Sequence, residues 1–219
     1  MKIKWFNLTV HKNYDDLYQA FKNNPFDNSQ GWGFSIEKLS SDYIYVKYSE
    51  KVKVVEDVID PYGKVSYLEY EKYIYFYFYL FKMTDFSYPL IIESAPRSIK
   101  NFIFNMEYIC DSRVRLEIKN FDIKYLINKL SNKFESFDVK SIKVKNLVIS
   151  KNTSGNIELV SSKDALVDLN NYFKEPKYNI DKIKILTRNS IYDNIFEINS
   201  TGSIITTEDE IEKIYSLFS

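Results

Sequence analysis

The feature that most restricts the fold is a tight turn set between two long runs that read as strand. Asp60-Pro61-Tyr62-Gly63 puts Pro at the second turn position and Gly at the fourth, which suits a type I turn. Residues 52–59 lead into it and residues 64–82 lead out, so an antiparallel hairpin is predicted. In the second arm Tyr73, Tyr75, Tyr77 and Tyr79 alternate with Ile74, Phe76, Phe78 and Leu80. Successive strand side chains point to opposite faces, so the four phenols share one face and the even-numbered set is the expected core face. The arm is long for one strand, and a bulge or bend is expected near Glu69 and Lys72.

The rest of the chain alternates short strands with amphipathic helices. Residues 1–10, 34–36, 43–48 and 89–92 read as strands. Asn13 is a predicted N-cap for a helix carrying Leu17 and Phe21 on one face. A helix ending near Cys110 presents Ile99, Phe102, Ile103 and Met106, and residues 113–119 alternate cleanly. Further helices are predicted over 122–134, 164–173 and 208–218, and further strands over 142–150, 157–161, 180–186 and 195–198, with Ile204 and Ile205 continuing the sheet. Ser141-Ile142-Lys143-Val144 and Lys182-Ile183-Lys184-Ile185 sit at matching places, which suggests a duplicated ββα unit. The expected class is α+β, a mainly antiparallel sheet with helices on one face. The chain is expected to form a single domain over 1–219. A subdivision would separate an aromatic-rich β-sheet region with two helices, 1–111, from repeated α/β-hairpin units, 112–219.

Composition removes several functions. Lys plus Arg equals Asp plus Glu, so the chain lacks the overall basic footprint of a general phosphate-backbone binder. His11 and Cys110 are the sole residues of their kinds, which leaves no usual zinc site and no internal disulfide. No glycine is followed by the Lys-Ser/Thr of a phosphate loop. No catalytic residue, metal ligand or cofactor is assigned, and a non-enzyme is the expectation. The first ten residues mix Lys2 and Lys4 with Trp5 and Phe6, unlike a signal peptide. The most apolar run, residues 73–81, falls far short of the about 20 residues of a membrane helix. A cytoplasmic protein with no membrane association is therefore expected. Abundant Lys, Asn, Ile and Tyr match A/T-rich codons and suit an A/T-rich microbe, virus or mobile element.

Four groups of residues remain as candidates. The Tyr73/Tyr75/Tyr77/Tyr79 row is either a face for a protein or nucleobases, or a second core layer. Arg97, in Ser94-Ala95-Pro96-Arg97-Ser98 ahead of a helix, either binds an anion or belongs to a local cap with Pro96 early in the helix. Residues 140–188 are rich in Lys. If their strands are neighbours, Lys143, Lys145, Lys182, Lys184 and Arg188 form a basic stripe, for a phosphate or an acidic protein or simply a solvated edge. Glu117-Ile118-Lys119 has the acidic-x-Lys form of some Mg²⁺ nucleases, with Asp111 or Glu93 as a second ligand. The same form recurs at Asp122, Asp138 and Glu175 in this Lys-rich chain. The leading expectation is a non-catalytic binding protein, a subunit or adaptor with a protein partner. A nucleic-acid binder using the Tyr row and Lys stripe, and a Mg²⁺ nuclease centred on Glu117 and Lys119, are the alternatives.

Overall fold

The computed structural model describes residues 1–83, 85–132, 134, 136–173, 177–188, 193–207 and 209–219, and only the backbone of Arg188 and Asp193. Within these residues the protein is α+β, with five helices and antiparallel sheet structure predominating. The chain forms two compact units. One is Phe6–Glu117; the other combines Met1–Trp5 with Ile118–Ser219. Strand β1 (Lys2–Val10) contributes residues to each.

In the Phe6–Glu117 unit the strands are β2 (Trp32–Leu39), β3 (Tyr43–Ile59), β4 (Val65–Phe81) and β5 (Ser87–Glu93), in the order β2-β3-β4-β5-β1. β6 (Val114–Ile118) pairs with β1 off this path. Helix α1 (Tyr14–Asn23) starts where expected, because the Asn13 side chain accepts from the Asp16 N–H at 2.8 Å and Asp15 and Asp16 complement the helix dipole. Helix α2 (Lys100–Cys110) begins later than Pro96. Ile99 precedes it without a side-chain cap, and the Lys100 N–H reaches the Ser98 hydroxyl at 3.5 Å.

Both helices close one face of this sheet. Leu17 and Phe21 from α1, and Phe102, Met106 and Cys110 from α2, join a core with Ile44, Val46, Tyr48, Phe76, Phe78 and Leu80. Phe78 meets the rings of Phe21, Phe34 and Phe102 at 5.3 to 6.5 Å between centroids. Burial pushes the Cys110 thiol up to about 11, so at neutral pH it is a protonated packing group and not a nucleophile.

The hairpin is longer and straighter than the sequence suggests. β3 and β4 pair residue for residue from Tyr43↔Phe81 to Ile59↔Val65, with no register shift, so no bulge interrupts the second arm. Residues 43–48 and 52–59 are one strand, since Ser49, Glu50 and Lys51 continue the ladder opposite Tyr75, Ile74 and Tyr73. At the turn the Gly63 N–H donates to the Asp60 carbonyl at 3.0 Å. Asp60 Oδ1 accepts from the N–H groups of Tyr62 and Lys64, each at 2.9 Å. Gly63 has φ +83°, a left-handed conformation that glycine adopts without penalty and that lets a short turn match the strand twist.

The second unit has the strand order β1-β11-β10-β9-β7-β8, with β7 (Ser136–Ser150), β8 (Thr153–Val160), β9 (Asn179–Arg188), β10 (Asp193–Asn199) and β11 (Ser203–Thr206). Its helices are α3 (Ile123–Ser131), α4 (Ala165–Phe173) and α5 (Ile211–Phe218). Asp122 caps α3 by accepting from the Tyr125 N–H at 3.1 Å. Asp164 accepts from the N–H groups of Leu166 and Val167 at 2.9 Å each. Glu208, expected to open the last helix, lies outside the described residues, and α5 starts at Ile211. The core holds Leu126, Leu130, Ile142, Ile183, Phe196 and Phe218, with Trp5 stacked on Tyr215 and edge-on to Phe121. No helix among the described residues is long and apolar enough to cross a membrane.

Candidate functional site

The unbroken register of the hairpin assembles the tyrosine row. Counting back from the turn, Tyr79 lies opposite Tyr45, Tyr77 opposite Lys47, Tyr75 opposite Ser49 and Tyr73 opposite Lys51. The even-numbered partners point into the core: Phe76, Phe78 and Leu80 are buried, with Ile44, Val46 and Tyr48 across from them. The odd-numbered set therefore forms the other face of the same two strands.

That face is graded along its length. Tyr43 and Phe81 are buried at one end. Tyr79 and Tyr77 follow, half-buried and stacked with Tyr45 at 4.3 and 5.5 Å between centroids, both at 22° between planes. Tyr75 and Tyr73 are open, 61% and 53% exposed. The Lys47 ammonium lies over the rings of Tyr75 and Tyr77 at 4.8 and 5.8 Å, within cation–π range. Phe26 approaches Tyr73 at 6.1 Å.

Glu93, at the end of β5, holds the buried part of the row in place. Its carboxylate accepts the Tyr45 hydroxyl at 3.2 Å and the Tyr79 hydroxyl at 3.0 Å. Burial, reinforced by the Glu93 charge, pushes the Tyr45 phenol up to about 12 and raises Tyr79 further. Both hydroxyls are thus protonated donors across the physiological range. On the core side Tyr48 plays a similar part: Asn105 Nδ2 donates to its hydroxyl at 2.7 Å, and that hydroxyl donates to Glu50 at 3.0 Å.

Tyr45, Lys47, Phe26 and Glu93 were not assigned to this face from the sequence. The signal was present: extending both strands one for one from Ile59 and Val65 puts Tyr45 against Tyr79 and Lys47 against Tyr77. Glu93, considered from sequence as a metal ligand, is instead an acceptor for two phenols.

The other candidates have less to offer. Arg97 is exposed ahead of α2. β7 and β9 are neighbours, and Lys143 stands directly opposite Lys182. Carboxylates interleave with the stripe, however. Lys145 is paired with Asp181 at 2.5 Å and Lys182 with Glu197 at 3.3 Å, while Glu158 lies opposite Lys143 on β8 and Glu197 opposite Lys184 on β10. The Arg188 side chain and Glu175 lie outside the described residues. Glu117 is exposed and paired with Arg115 at 2.5 Å. Among the described residues there is no group of three or more His, Cys, Asp or Glu side chains placed to hold a metal ion.

The surface grooves of the second unit include two of similar size. One, of about 370 Å³, lies along Lys124, Ile127, Asn128, Leu166, Asn170 and Tyr178, with the Lys124 ammonium 4.4 Å over the Tyr178 ring. The other, of about 390 Å³, runs between β8 and α4 beside Leu159, Ala165 and Phe173. Neither brings together a nucleophile, a base and an oxyanion donor. No protein-family model and no curated protein matches this sequence.

Proposed function

We propose that this chain is a non-catalytic binding protein, a subunit or adaptor that engages a protein partner through the tyrosine face of the Phe6–Glu117 unit. The observation that carries the reading is the grading of the row. Tyr73 and Tyr75 stand open on a regular strand, next to stacked phenols already fixed by Glu93 and Lys47. Tyrosines offer large amphipathic contact area with few torsions to freeze, and a face ordered before binding loses little further entropy on contact. Aromatic residues are enriched at interface centres and polar groups at the rim; here Lys47, Lys51 and Glu71 supply the polar border.

Nucleic acid is the weaker reading, because carboxylates interleave with the Lys stripe and the chain has no net charge.

The test is affinity capture from the native host with wild type and a Tyr73→Ser/Tyr75→Ser double variant side by side. Retention should fall at least about thirtyfold in the variant, as for loss of an aromatic hot spot, while the variant remains folded. Equal capture by both would remove the tyrosine face from the function. Capture of nucleic acid that vanishes steeply with salt would favour the alternative.

A further inference from the structure

Past the core, the β3–β4 hairpin continues as a two-stranded arm, residues 51–59 and 65–73. Most of its side chains are exposed on both faces, among them Val55 (57%), Val58, Ile59, Val65, Tyr67 (71%) and Leu68. Such a ribbon is marginal alone in water, and exposed apolar residues in this number signify a contact surface.

One edge of the arm has backbone groups to offer. The Lys51 N–H donates to the Gly31 carbonyl at 2.7 Å, on the side where β2 lies. Alternation then directs the N–H and C=O groups of Lys53, Val55 and Asp57 to that same side. β2 stops pairing at Trp32, opposite Glu50. Among the described residues no strand pairs with this edge beyond Lys51.

We infer that this edge is a self-association site, on which a second copy of the chain adds its own residues 52–58 antiparallel, centred on Val55. The odd-numbered side chains, Lys53, Val55 and Asp57, are self-complementary in that register. Lys53 faces Asp57 of the other copy, twice by symmetry. Val52 faces Val58, also twice, Val54 faces Glu56 twice, and Val55 faces its own counterpart. Both members of each Lys53/Asp57 pair, and both Val55 residues, turn their backbone groups toward the new partner, which supplies about six inter-chain hydrogen bonds. Neighbouring registers fit worse. Centring on Glu56 sets that carboxylate against itself. Centring on Val54 pairs Asp57 with Lys51, whose N–H already serves Gly31 and whose ammonium is 3.3 Å from Glu71. The product is a four-stranded ribbon, β4-β3 joined to β3-β4 of the second copy.

The experiment is sedimentation equilibrium on the full chain, up to about 100 µM. Wild type should reach twice the monomer mass. Asp57→Lys, which faces only Tyr67 within its own ribbon, should weaken association about tenfold or more by opposing two Lys pairs. The double reversal Lys53→Asp/Asp57→Lys should restore it. Val55→Pro, which removes an outward N–H without touching the β3–β4 ladder, should leave the chain monomeric. A wild-type monomer throughout the range overturns the inference, as does a dimer that these changes leave intact or a double reversal that fails to rescue.

Discussion

The two ends of one hairpin share one unbroken ladder and meet different fates. At its base, residues 43–50 and 74–81, Ile44, Val46, Tyr48, Phe76, Phe78 and Leu80 are buried beneath α1 and α2, and Phe78 has no exposed surface. In its arm, residues 51–59 and 65–73, a continuous ladder carries Val, Leu and Tyr into solvent. Hydrogen-bonded pairing is thus common to both, and coverage separates them. Stability belongs to the covered end, and the open end, like Tyr73 and Tyr75 beside it, leaves its side chains exposed.

The comparison can be broken by mutation, and the largest effect is expected at the base. Phe78→Ala removes a ring that touches three others and should cost about 3–5 kcal/mol in urea denaturation. Leu68→Ala in the arm, measured in dilute protein, should stay within about 0.5 kcal/mol of wild type. Equal losses at the two sites would mean that the arm is as covered as the base.

Tyr48→Phe is expected to come next. It leaves the buried Asn105 amide without its hydroxyl acceptor, at a cost of about 1–3 kcal/mol. A change in pH should act more gradually. Burial, then the nearby Glu50 or Glu93 charge, raises the phenols of Tyr48 and Tyr79 and moves Tyr45 to about 12. These groups hold their protons more tightly when folded, so stability is complete below the ordinary phenol value of about 10 and declines as pH rises through the folded values. Denaturation midpoints should therefore be level up to about pH 9 and fall by pH 11.5. A midpoint that rises over that interval would contradict the burial of these hydroxyls. As small as that of Leu68→Ala is the expected effect of Tyr73→Ser/Tyr75→Ser on stability, within about 0.5 kcal/mol, because those rings are open.

Much of this was legible in the sequence, for reasons that can be named. The turn residues Asp60, Pro61 and Gly63 act locally, so the hairpin and its hydrogen bonds follow from them. Period-two alternation separates Phe76 and Phe78 from Tyr75 and Tyr77 without knowledge of any partner. The polar side chains of Ser49-Glu50-Lys51 carry no strand signal of their own, whereas the ladder that joins 43–48 to 52–59 runs through the backbone. Pairings that depend on remote register were out of reach. The Lys145–Asp181 contact requires the bulged alignment of β7 on β9, and Glu93 meets Tyr45 and Tyr79 only after β5 docks on β4. The openness of Tyr73 against the burial of Tyr43 on the same face follows from what covers each end, which alternation does not encode.

The most direct measurement is site-specific photocrosslinking in the native host, with a photoreactive phenylalanine placed at position 75 and, as a control, at Tyr125, an equally exposed tyrosine on α3. A tyrosine face that binds a protein predicts a discrete adduct with a different polypeptide from position 75 and none from position 125. No adduct at position 75, or the same adducts from both positions, would contradict it.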